Sequence, residues 1–288
     1  MSDKIPIVST GPISLTYRRY ALGLLLAVNL LNYIDRQVLF AVFPLIKIDL
    51  RLSDTALGFL GSAFMLSYLL IAPLFGWLGD HFSRTRLAAG GLVVWSMATA
   101  LAAFAPGYRT LLGARATVGV GEASFGTVSP GLITDFFPRE RRGRVLAWFY
   151  VAIPVGSALG YLLGGVLGQR YGWHAAFLLV GVPGLLLAVP IALLRTPPRG
   201  GDDAKPRASQ GKASTGYAAL FRNRSFIYNT LATAAMTFAI GGLAQWIPSF
   251  LYRAHSLDVA KANTLFGATT VLAGILGTLA GGWLGDFW

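Results

Sequence analysis

The chain has 288 residues, 55% of them hydrophobic and 12% charged, with a mean hydropathy of +0.59. Soluble domains carry about 25% charged residues, and here the apolar residues come in blocks of roughly 20, the length that crosses about 30 Å of hydrocarbon. The composition therefore excludes an ordinary soluble domain and indicates an all-α polytopic membrane protein. The net charge of +12 does not indicate nucleic acid, because the basic residues gather in alternate loops; the lack of cysteine excludes disulfides, thiol catalysis and thiolate metal sites. The three histidines (His81, His174, His255) fall in or beside predicted loops with no metal-ligand spacing, so no metal and no cofactor is expected.

The first 19 residues are polar and end in Arg18-Arg19. The apolar run after them is too long for a signal-peptide core and lacks a small-residue cleavage site, so it reads as a retained first span. Eight spans are predicted, near 20–43, 55–78, 87–105, 109–134, 145–167, 175–195, 225–251 and 263–284. The stretch 196–224 is rich in Pro, Gly, Ser and basic residues and reads as a flexible linker. The expected organisation is a tail at 1–19, an N-lobe of six helices at 20–195, the linker at 196–224, and an incomplete C-lobe with two helices at 225–288. Sixteen of the 24 Lys and Arg residues fall on the side of the tail and linker, counting Arg195 with the linker, so both face the cytoplasm.

The first span contains LLNYIDRQVL. Asn29, Asn32 and Arg36 share an arc of about 60°, with Asp35 about 120° from Asn29. Ionisable groups inside a membrane face a bundle interior or cavity and mark a pathway; the bland reading is an ion pair that fixes helix packing. After the second span, GWLGD at 76–80 recurs as GWLGD at 282–286. Six spans separate the copies, so both helices run the same way, as in two parallel six-helix halves. The chain is accordingly expected to be a fragment of a twelve-helix protein. Asp80 and Arg84 follow the second span and Asp135 ends the fourth on the same side, an Asp–Arg–Asp cluster suited to latching helices, with Asp286 as the repeat of Asp80.

The fourth span carries Arg115 and Glu122 about 20° apart on one face. Gly119 and Gly126 lie on the same stripe and are expected to leave space beside the charges. At the helical rise, Asp35 lies roughly 12 Å and Arg115 roughly 9 Å from the outer end of their spans, so the two are predicted to meet, with Glu122 about 10 Å deeper. Low dielectric favours a neutral carboxyl and a nearby guanidinium favours the charged one, the balance a proton-driven carrier needs. The basic run 139–144 reads as topology and phospholipid contact. In the fifth span, Gly156, Gly160 and Gly164 read as a close helix-packing face. Gln245 and Trp246 near the end of the seventh span line a path or, for the tryptophan, anchor at the interface.

These residues resemble the major facilitator superfamily. Gly76, Leu78, Asp80 and Arg84 match its signature loop, and Arg115, Gly119 and Gly121 match its R-x-x-x-G-x-G pattern. NYIDRQVL at 32–39, GVGEASFGTVSPGLITDFFP at 119–138 and QWIPSFL at 245–251 are similar to Spinster-type transporters within it. The resemblance implies the major facilitator fold, two lobes rocking around a central cavity, of which this chain holds a complete N-lobe and the first two C-lobe helices. It implies that Asp35, Arg36, Arg115 and Glu122 serve proton coupling or substrate binding, with Asn29, Asn32, Gln245 and Trp246 as possible cavity lining. Asp80, Arg84, Asp135 and Asp286 would form the cytoplasmic gate. Family substrates are lysophospholipids and sphingosine-1-phosphate-type lipids. The chain departs from the drug-antiporter motif, having Gly160-Tyr161-Leu162-Leu163-Gly164-Gly165 in the fifth span. The expected function is a secondary active transporter in a bacterial inner membrane, with an amphiphilic lipid or organic anion, protons and membrane lipids as partners. A small-anion carrier for sugar acids or phosphates, and a non-transporting fragment or interaction module, are the alternatives. An enzyme is not expected, for want of a catalytic His/Ser or paired-Asp arrangement.

Overall fold

The computed structural model describes residues 13–196 and 221–287; the side chains of 278, 279, 281–283 and 285–287 are outside the description. Every element among the described residues is a helix. Helix α1 (Leu15–Ala41) begins at Ser14, whose hydroxyl accepts the Tyr17 N–H, and is followed by the short α2 (Phe43–Asp49) with Pro44 in its first turn. Ser53 and Ser83 cap α3 (Asp54–His81) and α4 (Arg84–Ala102) in the same way. Then come α5 (Tyr108–Phe136), α6 (Arg139–Ala192), α7 (Arg224–Ala254), capped by Asn223, and α8 (Val259–Phe287).

The sequence implies a short loop between its fifth and sixth spans. The structure turns instead at one residue of α6, Gly172, with φ +83° and ψ 161°, a conformation essentially reserved for glycine. The chain reverses there, so α6 is a hairpin of two arms, 139–171 and 173–192. Its 54 residues suffice for two crossings. The helices alternate between two faces. One, the basic face, carries the start of α1, the α3–α4 and α5–α6 turns and the start of α7; the opposite face carries α2, the α4–α5 turn, Gly172 and the α7–α8 turn. Six of the described helices, α1, α3, α4, α6, α7 and α8 as far as Gly277, are long and apolar enough to cross a membrane. Helix α5 has 29 residues but is not among them, because its polar and small residues dilute its apolar ones.

Glycines set the helix spacing. A Cβ at Gly156, Gly160 or Gly164 would sit 2.7 Å from Tyr33 Cβ, the Ile34 carbonyl or Ala41 Cβ respectively, so this stripe of the first α6 arm lies directly on α1, as expected. The neighbouring face of the same arm takes α8: Gly165 meets Asn263, and Gly267 of α8 meets Ala158. Gly119 and Gly126 of α5 do not open the expected space. A Cβ there would collide with the Phe64 backbone and with the Tyr68 hydroxyl, so these glycines admit α3 rather than a void. Among the described residues, α7 meets the others mainly near its far end: residues 228–243 are all exposed, whereas Pro248 and Ser249 are buried.

Candidate functional site

Two acid–base pairs join α1 to α5. The Arg36 Nε donates to Glu122 Oε2 at 2.6 Å, and Glu122 is completely buried. The Asp35 carboxylate faces Arg115 Nη1 at 3.6 Å, with both residues 1% exposed. Arg115 and Glu122 are seven residues apart, about two turns on one face of α5. Their partners are adjacent on α1, so the long Arg36 side chain spans the difference in level.

Neutral residues hold the charges in place. Thr99 of α4, fully buried, donates to Asp35 Oδ2 at 2.5 Å. The Arg36 guanidinium lies 5.1, 5.0 and 5.4 Å from the ring centroids of Tyr33, Phe64 and Tyr68. Phe64 also lies 5.5 Å from the Arg115 guanidinium, so one α3 ring serves both arginines by cation–π attraction. Sequence reading missed Thr99, Phe64 and Tyr68. The i, i+4 spacing of Phe64 and Tyr68 was a signal, but on an apolar helix such a pair reads as ordinary packing.

The pairs leave hydrogen-bonding capacity unused. Arg115 Nε and Nη1, Glu122 Oε1, Asp35 Oδ1 and Asn32 Nδ2 are buried without a hydrogen-bond partner. Buried polar groups are nearly always satisfied; here Arg115 Nη1 and Asp35 Oδ1 face each other as an ion pair at 3.6 Å, beyond hydrogen-bond length. Asn29 is committed elsewhere: its amide donates to the Phe149 carbonyl at 2.7 Å and ties α1 to α6.

Gln245 and Trp246 lie at the opposite-face end of α7. Trp246 packs on Phe43 with ring centroids 5.6 Å apart, and the Gln245 amide lies against Gly61 of α3. The same end of α7 is clamped by Arg253, which donates to both oxygens of Asp54 at 2.7 and 3.0 Å, while Lys47 donates to Asp54 at 2.7 Å. Asn263 of α8 donates to the Ala41 carbonyl at 3.0 Å, and Tyr161 of α6 donates to the Ala244 carbonyl of α7 at 2.6 Å. Contact between α7 and the helices before the linker is thus concentrated at the opposite face.

At the basic face Arg84 binds Asp135 at 2.7 Å, approaches Asp80 at 3.7 Å and donates from Nε to the Gly79 carbonyl at 3.3 Å. This brings together the ends of α3 and α5 and the start of α4. Asp286, expected to belong with these residues, is in α8, but its side chain lies outside the described residues.

The family model of the Major Facilitator Superfamily matches residues 25–288. Protein spinster of Drosophila melanogaster is 34% identical over 276 residues, covering 93% of this chain and 46% of its own length. Human Protein spinster homolog 1 is 38% identical over 271 residues, covering 87% and 51%, and the mouse sphingosine-1-phosphate transporter SPNS2 is 37% identical over 271 residues, covering 88% and 49%. Among solved structures, a bacterial homolog to the human lysosomal transporter Spinster, inward-facing and unoccupied, superposes with a TM-score of 0.85 at 30% identity, over 95% of this chain and 64% of that one. The chain spans about half the length of the curated relatives it matches.

Proposed function

The chain belongs to the major facilitator superfamily, and from that premise we propose that it works, within its full-length protein, as a Spinster-like secondary active transporter. The proposed cargo is an amphiphilic lipid with an anionic head, or an organic anion, moved in exchange or company with protons. The observation that carries the reading is the pair of buried, incompletely bonded α1–α5 ion pairs, Asp35–Arg115 and Arg36–Glu122. Each arginine is held by a carboxylate that can take up a proton. A proton on Glu122 weakens its hold on Arg36, whose guanidinium then has donors free for a phosphate or carboxylate, groups that guanidinium matches in geometry. When the anion leaves, Arg36 returns to Glu122 and the proton is released. Asp35 and Arg115 form the second such unit, with Thr99 fixing the carboxylate.

The domain division follows: an N-lobe at 20–195, a linker at 196–224 and the first part of a C-lobe from 225. The excess of Lys and Arg at the basic face supports a cytoplasmic position for that face, the N-terminal tail and the linker, and we place the protein in a bacterial inner membrane. On this reading α7 meets the N-lobe at the outer side, through Asp54, Arg253, Trp246 and Tyr161, while its residues 228–243, toward the cytoplasmic side, are exposed. An inward-open arrangement accounts for this, and the likeness to an inward-facing relative supports it. Arg84, Asp135, Asp80 and Asp286 would form the cytoplasmic gate that meets the other lobe on closure.

The test is uptake by the full-length protein in proteoliposomes carrying a pH-sensitive dye. A lysophospholipid that moves protons as it crosses, in wild type and not in an Arg36→Gln variant, supports the reading; lipid movement indifferent to an imposed pH gradient refutes the coupling. Two guanidiniums in one buried site would also suit a small sugar acid or sugar phosphate. Competition of such anions with lysophospholipid in the same vesicles separates the two cargoes.

A further inference from the structure

The strongest unassigned feature lies away from the ion pairs, at Pro248. In an α-helix the carbonyl of each residue accepts the N–H four positions on. The residue four after Ala244 is Pro248, which has no N–H and whose ring crowds that carbonyl. The Ala244 carbonyl therefore lacks its ordinary donor within α7, in a segment at membrane depth where water is scarce. Its partner comes from another helix: the Tyr161 hydroxyl donates to it at 2.6 Å. Tyr161 is 1% exposed, and its ring packs edge-on against Phe266 of α8 with centroids 4.9 Å apart. Gly165, four residues on, admits Asn263 of the same helix.

We propose that Tyr161 and Pro248 form a clasp across the boundary between the lobes. The proline removes the donor that the Ala244 carbonyl would otherwise have, and the tyrosine supplies one only while the outer ends of the lobes are together. The clasp rests on the preceding reading of two rocking lobes. When the lobes part at the outer side, Ala244 loses its donor and Tyr161 its acceptor, and water entering from the opening must satisfy both. Opening is thereby tied to hydration of the boundary, and the outer-closed state is favoured by one hydrogen bond that an unbroken helix would not offer.

These 288 residues contain no cysteine, so with any cysteine elsewhere in the full-length protein replaced, spin labels can be placed singly. Ile48→Cys on α2 and His255→Cys after α7 report the outer separation by electron–electron distance measurement on the full-length protein in lipid nanodiscs. Tyr161→Phe keeps the ring and removes only the hydroxyl. It is expected to lower the ratio of outer-closed to outer-open protein roughly fivefold, the worth of one net hydrogen bond. Pro248→Ala gives α7 its missing N–H; in that background Tyr161→Phe is expected to shift the ratio by less than about twofold, the non-additivity of a shared contact. Unchanged distances with Tyr161→Phe, or an equal shift in both backgrounds, overturn the clasp. If Pro248→Ala does not assemble, the Tyr161→Phe distribution alone decides. Two exchanging populations that ignore Tyr161→Phe overturn the clasp and leave rocking intact, whereas a single separation under all conditions, with and without substrate, overturns both.

Discussion

Glu122→Gln separates the role of charge at the α1–α5 junction from the role of shape. Glu122 is fully buried, with one oxygen 2.6 Å from Arg36 Nε and the other unpartnered. Removing one member of a buried ion pair costs about 3–5 kcal/mol when the survivor is stranded. Here the survivor is not stranded. The Arg36 side chain is 19% exposed and lies over three aromatic rings, and the glutamine carbonyl still accepts from Nε, so about 1–2 kcal/mol is the expected loss. Glu122→Ala, which removes the acceptor as well, is expected to reach the full 3–5 kcal/mol. Thermal unfolding in detergent reads this order. The functional loss is of another kind: one proton per cycle across one pH unit is worth about 1.4 kcal/mol, or tenfold accumulation. Proteoliposomes with a one-unit gradient should show that accumulation with wild type and none with Glu122→Gln, while downhill lipid exchange persists. A Glu122→Gln protein that still concentrates substrate against its gradient would refute the proton role.

Asp35→Asn keeps the Thr99 contact but leaves Arg115, 1% exposed, without its acid; it should cost about 3–5 kcal/mol, visible as a lower melting temperature. Gly160→Leu forces a side chain into the Ile34 carbonyl and Gln37 Cβ, 2.7 and 2.8 Å from where its Cβ would lie. It should cost at least 1–3 kcal/mol or abolish assembly, read as loss of the monodisperse peak in size exclusion. Arg253→Gln breaks an exposed clamp on Asp54 and should change stability by about 1 kcal/mol or less, with any effect fading in high salt. Asp258 caps α8 by accepting the Lys261 N–H at 2.8 Å, which holds its carboxyl below the ordinary value. A lowered carboxyl stabilises above its unfolded pKa, about 4, and that contribution is lost as pH falls through the folded value. Amide exchange at Lys261 should therefore accelerate below about pH 4, and Asp258→Asn should remove that dependence.

Much of the architecture was legible because helix rise and apolar block length are fixed quantities. The depth count from the outer ends of two spans brought Asp35 opposite Arg115, where the structure has them 3.6 Å apart. The same count placed Glu122 about 10 Å deeper and left it without a partner, because it compared backbone levels and ignored the reach of an arginine side chain. Arg36 covers that distance. The stripe of Gly119 and Gly126 was read as empty space, but a glycine stripe says only that something approaches closely. Here the something is α3, with Phe64 and Tyr68. Thr99 gave no signal at all: a threonine on a third helix becomes visible only once the rotation of α4 against α1 is known, and periodicity within one chain segment does not contain that. The turn between the fifth and sixth spans was legible in the polar break at Gln169, Arg170 and His174, but not that the reversal is made at the single residue Gly172.

The low hydropathy of α5 has a consequence for how the protein enters its membrane. An arginine or aspartate near the middle of a helix costs about 2.5–3.5 kcal/mol on the scale of translocon-mediated insertion, and α5 holds Arg115 and Glu122 among glycines and serines. Helix α1, synthesised first, already carries the two opposite charges that neutralise them. Membrane entry of α5 is therefore an intramolecular association: the helix partitions out of the translocon against α1, not into lipid. A substitution at Asp35 or Arg36 will register at biogenesis, as an α5 that fails to integrate, before any step of the transport cycle is reached.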